Sequence, residues 1–81
     1  MKIYLLLSIV DGNPDNIEVE VFKEFKDANA QMRLQYDEER TGYEDSITDE
    51  NIVDWGAWIY FQYTDYKIRS CSWCISEKEL L

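Results

Sequence analysis

The chain has 81 residues, 46% apolar and 15% aromatic, with 17 acids against 8 bases for a net charge of −9. That describes one small domain with enough apolar side chain to fold. Its field repels phosphate backbones and anionic lipid, which argues against direct binding of nucleic acid or membrane and favours a basic partner surface.

Lys2 to Val10 reads as a first strand (2–10), with Ile3, Leu5, Leu7 and Ile9 on one face and Tyr4, Leu6 and Val10 on the other. A strand apolar on both sides is expected at the centre of a sheet or covered on both faces. The run also looks like a very short leader, with Lys2 ahead of it. It ends in Asp11-Gly12 with no small-residue cleavage site, so a strand is expected. Asp11 to Asn16 is dense in turn formers and should close a hairpin. The second strand (17–25) alternates Ile17, Val19, Val21 and Phe25 with Glu18, Glu20 and Glu24, with Phe22 as the exception on the glutamate face. A face of glutamates is expected to be solvated, which places this strand near an edge.

Asp27 predicts a helix N-cap for residues 28–41. Ala28, Met32 and Tyr36 recur at i, i+4 and i+8 as one narrow apolar stripe, from which Leu34 departs. Gly42 is the expected terminator. Residues 43–54 read as an acidic loop, anchored by Tyr43, Ile47, Ile52 and Val53. Residues 37–54 hold eight acids (Asp37, Glu38, Glu39, Glu44, Asp45, Asp49, Glu50 and Asp54) against Arg40 alone.

Trp55 to Cys74 carries seven of the twelve aromatics, namely Trp55, Trp58, Tyr60, Phe61, Tyr63, Tyr66 and Trp73. It reads as two strands, 56–64 and 67–75, joined by a turn near Thr64-Asp65-Tyr66. Ala57, Ile59, Phe61 and Tyr63 share a face, and Trp58, Tyr60, Gln62 and Thr64 share the other. Cys71, Trp73 and Ile75 line one side of the last strand. Ser76 with Glu79 forms a capping box, and Ile75 with Leu80 a hydrophobic staple, which predicts a C-terminal turn over 76–81. The expected fold is α+β, a small antiparallel sheet of ββαββ order with one helix packed on one face. Aromatics on the uncovered face, among them Trp58, Tyr60 and Trp73, would then mark an interface with a partner or a second copy.

Little in the chain points to catalysis or to a cofactor. No histidine is present, which removes the usual general base near neutral pH and the commonest metal ligand. The Cys71-Ser72-Trp73-Cys74 spacing is open to a redox pair or an intersubunit zinc site. Within a strand, however, residues three apart face opposite ways, so core thiols are the favoured reading. Two cysteines without a secretory pattern fit a reducing cytoplasm. Asp11-Gly12-Asn13-Pro14-Asp15 begins like a calcium loop but has Asn16 in place of glycine and Phe22 in place of the closing glutamate. Asp45, Asp49, Glu50 and Asp54 are a further candidate for weak cation binding.

In its size and charge, the acidic stretch DEERTGYEDSITDENIVD and the aromatic hairpin WGAWIYFQYTDY, the chain resembles small acidic proteins of phages and mobile elements. These include anti-CRISPR and other anti-defence inhibitors. The resemblance implies a non-enzymatic, cytoplasmic DNA mimic whose acidic surface blocks the basic nucleic-acid channel of a host nuclease or defence effector. Duplex DNA carries a charge about every 1.7 Å of its axis, an array that dense carboxylates can imitate. The proposed contact surfaces are the eight acids above and the aromatic set Trp55, Trp58, Tyr60, Tyr63, Tyr66 and Trp73. The alternative is a small-molecule or nucleotide binder, with an aromatic pocket at a dimer interface and Arg33, Lys67 or Arg69 for an anionic group.

Overall fold

The computed structural model describes residues 1–11, 14–62 and 68–80. Its elements are β1 (Lys2–Val10), β2 (Ile17–Phe22), α1 (Phe25–Arg40), β3 (Ile47–Val53), β4 (Gly56–Gln62) and β5 (Ile68–Glu79). The five strands form one antiparallel sheet in the order β2-β1-β5-β4-β3. β1 is interior, as its two apolar faces require, and β2 is an edge. α1 carries the chain from the β2 edge to the β3 edge, and the β3-β4-β5 meander then returns β5 to pair with β1. The expected α+β architecture is present, an antiparallel sheet with one helix on one face.

The core lies between α1 and that face. Ala28, Met32 and Tyr36 are buried from the helix side, against Leu6, Ala57, Ile59, Phe61, Cys71, Trp73 and Ile75 from the strands. The i, i+4, i+8 stripe and the inward rows of β4 and β5 are therefore those the spacing predicts, and Leu34 is exposed. At one end Phe25 packs on Trp55 with ring centroids 4.3 Å apart, and Tyr4 meets both rings. Gly42, at φ +90°, ends the helix two residues after Arg40. Gly56 permits close packing of β4 on β5, since a Cβ there would lie 3.1 Å from the Trp73 carbonyl oxygen.

Several local expectations give way to tertiary contacts. The acidic segment 43–54 is not a loop: Glu44–Ser46 is a 3₁₀ turn and Ile47–Val53 is an edge strand. A register shift between Ile47 and Asp49 breaks its alternation, so Ile47, Glu50 and Ile52 turn inward at spacings of three and then two. Such a bulge hides a strand from a period-2 reading. Residues 76–79 extend β5, pairing with β1 from Leu5↔Ser76 to Lys2↔Glu79 instead of forming a capped turn. α1 begins at Phe25 with Glu24 as its cap residue, so Asp27 lies in the first turn instead of capping it. The Phe25–Trp55 contact draws that extra turn onto the core. β2 ends at Phe22. The strand ends expected at 63–64 and at Lys67, with the turn between them, lie outside the described residues.

The largest difference concerns which way β2 faces. Its register with β1 (Leu6↔Glu20, Ser8↔Glu18, Leu7↔Val19, Leu5↔Val21) places the glutamates on the helix side and the aliphatics on the open side. Ile17, Val19 and Val21 are accordingly 42%, 55% and 62% exposed. Among the described residues no helix is long and apolar enough to cross a membrane.

Candidate functional site

Gln35, on the buried side of α1, organises the polar part of the helix–sheet seam. Its Oε1 accepts from the Ser8 hydroxyl at 2.9 Å and from the Trp73 indole N–H at 3.0 Å. Its Nε2 donates to Glu20 Oε1 at 2.8 Å. This chain of bonds is why β2 can aim a glutamate toward the helix: the carboxylate finds a donor there instead of a bare apolar wall.

Beside this seam, between the C-terminal half of α1 and the β1–β2 end of the sheet, lies a cleft of about 600 Å³. Asp15, Glu18, Glu38 and Glu39 line it together with Gln31 and Gln35, and none of its described lining residues is Lys or Arg. Arg69 reaches Glu39 at 3.4 Å. Asp15 and Glu18 escape a reading of the sequence, because their place in the cleft depends on which face of the sheet the helix covers.

The eight acids of residues 37–54 are spread around three sides of the protein. Glu38 and Glu39 belong to the cleft, and Asp37 to the exposed last turn of α1. Glu44 and Asp45 occupy the 3₁₀ turn before β3. Asp49 points to the open face, where its Oδ2 accepts from the Trp58 indole N–H at 3.3 Å. Asp54 sits past the far end of β3, where Arg33 reaches it at 3.4 Å. Asp45, Asp49, Glu50 and Asp54 thus do not converge. Among the described residues no three His, Cys, Asp or Glu side chains group to hold a metal.

Glu50 has a structural partner. Arg40 donates to it from Nε at 2.6 Å and from Nη2 at 2.9 Å, and the Tyr36 hydroxyl donates at 3.3 Å. This clasp ties the end of α1 to the β3 edge. The Arg40 hydrogen bond holds the Glu50 carboxyl below its ordinary 4.5, while burial and then Glu50 raise the Tyr36 phenol. A depressed folded-state carboxyl pKa stabilises above the unfolded value and stops doing so as pH falls through the folded one. β3 amides are therefore expected to lose hydrogen-exchange protection below about pH 4.5, ahead of β1 and β5 amides. Glu50→Gln is expected to give the same loss at pH 7 and to remove that pH step. Equal protection of β3 in the two proteins across the range would contradict the clasp.

The aromatic set also divides. Trp58 and Tyr60 are on the open face, and Trp73 is buried under α1. Trp55 is partly exposed in the cluster with Phe25 and Tyr4. Tyr63 and Tyr66, with Lys67, lie outside the described residues. Arg33 and Arg69 engage Asp54 and Glu39 on the helix side, away from Trp58 and Tyr60. The two cysteines are free and face opposite ways, Cys71 buried and Cys74 exposed. Burial, and then Glu39, push the Cys71 thiol up to about 11, which keeps it protonated and unreactive at neutral pH.

No protein-family model, no curated protein and no solved structure matches the chain.

Proposed function

We propose that this chain is a non-enzymatic binding protein that offers its carboxylate cleft and the acidic end of α1 to a basic protein surface. The partner surface is one that otherwise takes nucleic acid, as for the phage and mobile-element inhibitors of host defence that the chain resembles in size and charge. The observation that carries the reading is the cleft, where Asp15, Glu18, Glu38 and Glu39 gather and no described lining residue is basic. Asp37 and Glu38 add support, because carboxylates near a helix C-terminus oppose its dipole and cost stability. A clustered negative surface speeds and orients encounter with a cationic partner.

The test is titration of an arginine-rich nucleic-acid-binding peptide at low and high salt. Binding is expected to weaken steeply with salt and to fall about tenfold or more in Glu18→Lys/Glu38→Lys. Glu44→Lys/Asp45→Lys, with the same charge change on the other side of α1, is expected to retain most of it. Equal loss in both variants would reduce the effect to net charge. Salt-independent binding, or none, would overturn the proposal.

A further inference from the structure

The face of the sheet opposite α1 carries an apolar surface that nothing in the described chain covers. Ile3, Leu5, Leu7 and Ile9 of β1 share it with Ile17, Val19 and Val21 of β2, paired directly as Leu5↔Val21, Leu7↔Val19 and Ile9↔Ile17. Beside them β5 lays down a row of small side chains, Ser70, Ser72, Cys74 and Ser76, and β4 adds Trp58 and Tyr60 beyond. A one-sided antiparallel sheet normally turns its polar face to water. Here the edge strand does the reverse, with Val19 and Val21 more than half exposed while their glutamate neighbours face the helix.

We propose that this face is covered by a second copy of the chain, the two sheets packing face to face as a β-sandwich with a helix on each outer side. Charge selects that occupant. Among the described residues, Asp49 is the one acid in the strand registers of this face, and Lys78 is the one base there. Two chains of net charge −9 can therefore meet here with their carboxylates turned outward. On the helix side the same meeting would oppose the cleft acids. Asp49 and Lys78 also lie toward opposite ends of the strands, so a two-fold operation that reverses strand direction brings unlike charges toward each other.

Area agrees. Five strands at about 4.8 Å spacing and about seven residues at 3.3 Å span roughly 550 Å² in projection, before side-chain relief is counted. A standard interface buries about 800 Å² of accessible surface per partner. The small β5 row allows sheets to approach to the usual distance of about 10 Å. The proposal uses the face opposite the cleft, which it meets at Ile9 and Ile17, and does not depend on how the carboxylates are used.

Sedimentation equilibrium on the whole chain is the test, with Cys74 as a built-in reporter. The expected mass at high concentration is twice 9.7 kDa. Val19→Lys/Val21→Lys, at positions exposed in the single chain, is expected to weaken the dimer about 100-fold or more, since each lysine would be buried without a partner. In the wild type, the reaction of Cys74 with a water-soluble disulfide reagent should slow as concentration rises, while Cys71 reacts only on unfolding. A monomer up to millimolar concentration would overturn the proposal. So would a dimer in which Cys74 reacts at the monomer's rate, because association would then use another surface. Should the lysine variant fail to fold, the wild-type Cys74 series decides the question alone.

Discussion

Phe61→Ala is expected to lower the unfolding free energy by about 3–5 kcal/mol. Phe61 is among the largest fully buried side chains, and it lies against Tyr43 with ring centroids 6.0 Å apart. Truncation loses the transfer energy of the ring and leaves a cavity that strands β3 and β5, fixed on either side by their ladders, cannot close. A domain of this length has roughly 4–12 kcal/mol in all, so the variant should be partly unfolded at 37 °C. Urea denaturation checks it: the midpoint should fall sharply with little change in slope. Leu34→Ala, on the exposed side of α1, is the control and should shift stability by no more than about 0.5 kcal/mol. A Phe61→Ala loss as small as the control's would mean that the helix does not pack on β4 as described.

The second large effect is expected at Gln35. Its carbonyl oxygen accepts from both Ser8 and Trp73, so Gln35→Leu strands two donors in the helix–sheet seam and leaves Glu20 without its amide. An unsatisfied buried donor costs about 1–3 kcal/mol, more than the net value of the bond it once made. Trp73 is buried whereas Ser8 is only partly so, which places the expected loss at about 2–3 kcal/mol. Adding Trp73→Ala would confuse the outcome with a cavity. Trp73→Phe removes the indole N–H with less loss of volume, and the Gln35→Leu/Trp73→Phe double variant should lose less than the sum of the singles. Strict additivity would show that the indole–amide bond contributes nothing.

Elements with strong short-range patterns were legible in the chain itself. The β1 alternation, the helix stripe Ala28, Met32 and Tyr36, and the inward rows Ala57-Ile59-Phe61 and Cys71-Trp73-Ile75 all keep the period of their element, and all are found where that period places them. The opposite orientation of Cys71 and Cys74 follows from the same rule. β3 was not legible, because its bulge replaces alternation with a three-then-two spacing among polar residues. The expected C-terminal turn gives way to strand for the opposite reason. Ser76 and Glu79 make a sound capping signal, but the ladder with β1 satisfies more backbone groups than one helical turn can.

The candidate site shows the same division. The chain alone determined the charge, its concentration between Asp37 and Asp54, the absence of histidine and the surplus of aromatics. Only the tertiary structure decided how those were distributed, because a strand has two faces and its own residues do not say which one a helix will cover. β2 makes the point. Its alternation of Ile17, Val19 and Val21 with Glu18 and Glu20 is plain in the sequence, and burial of the aliphatic row is the natural expectation. The register with β1, set by Leu6 beneath the helix and by the Gln35–Glu20 bond, turns the glutamates toward α1 and the aliphatics away. That single choice of face creates both the carboxylate cleft on one side and the uncovered apolar sheet on the other.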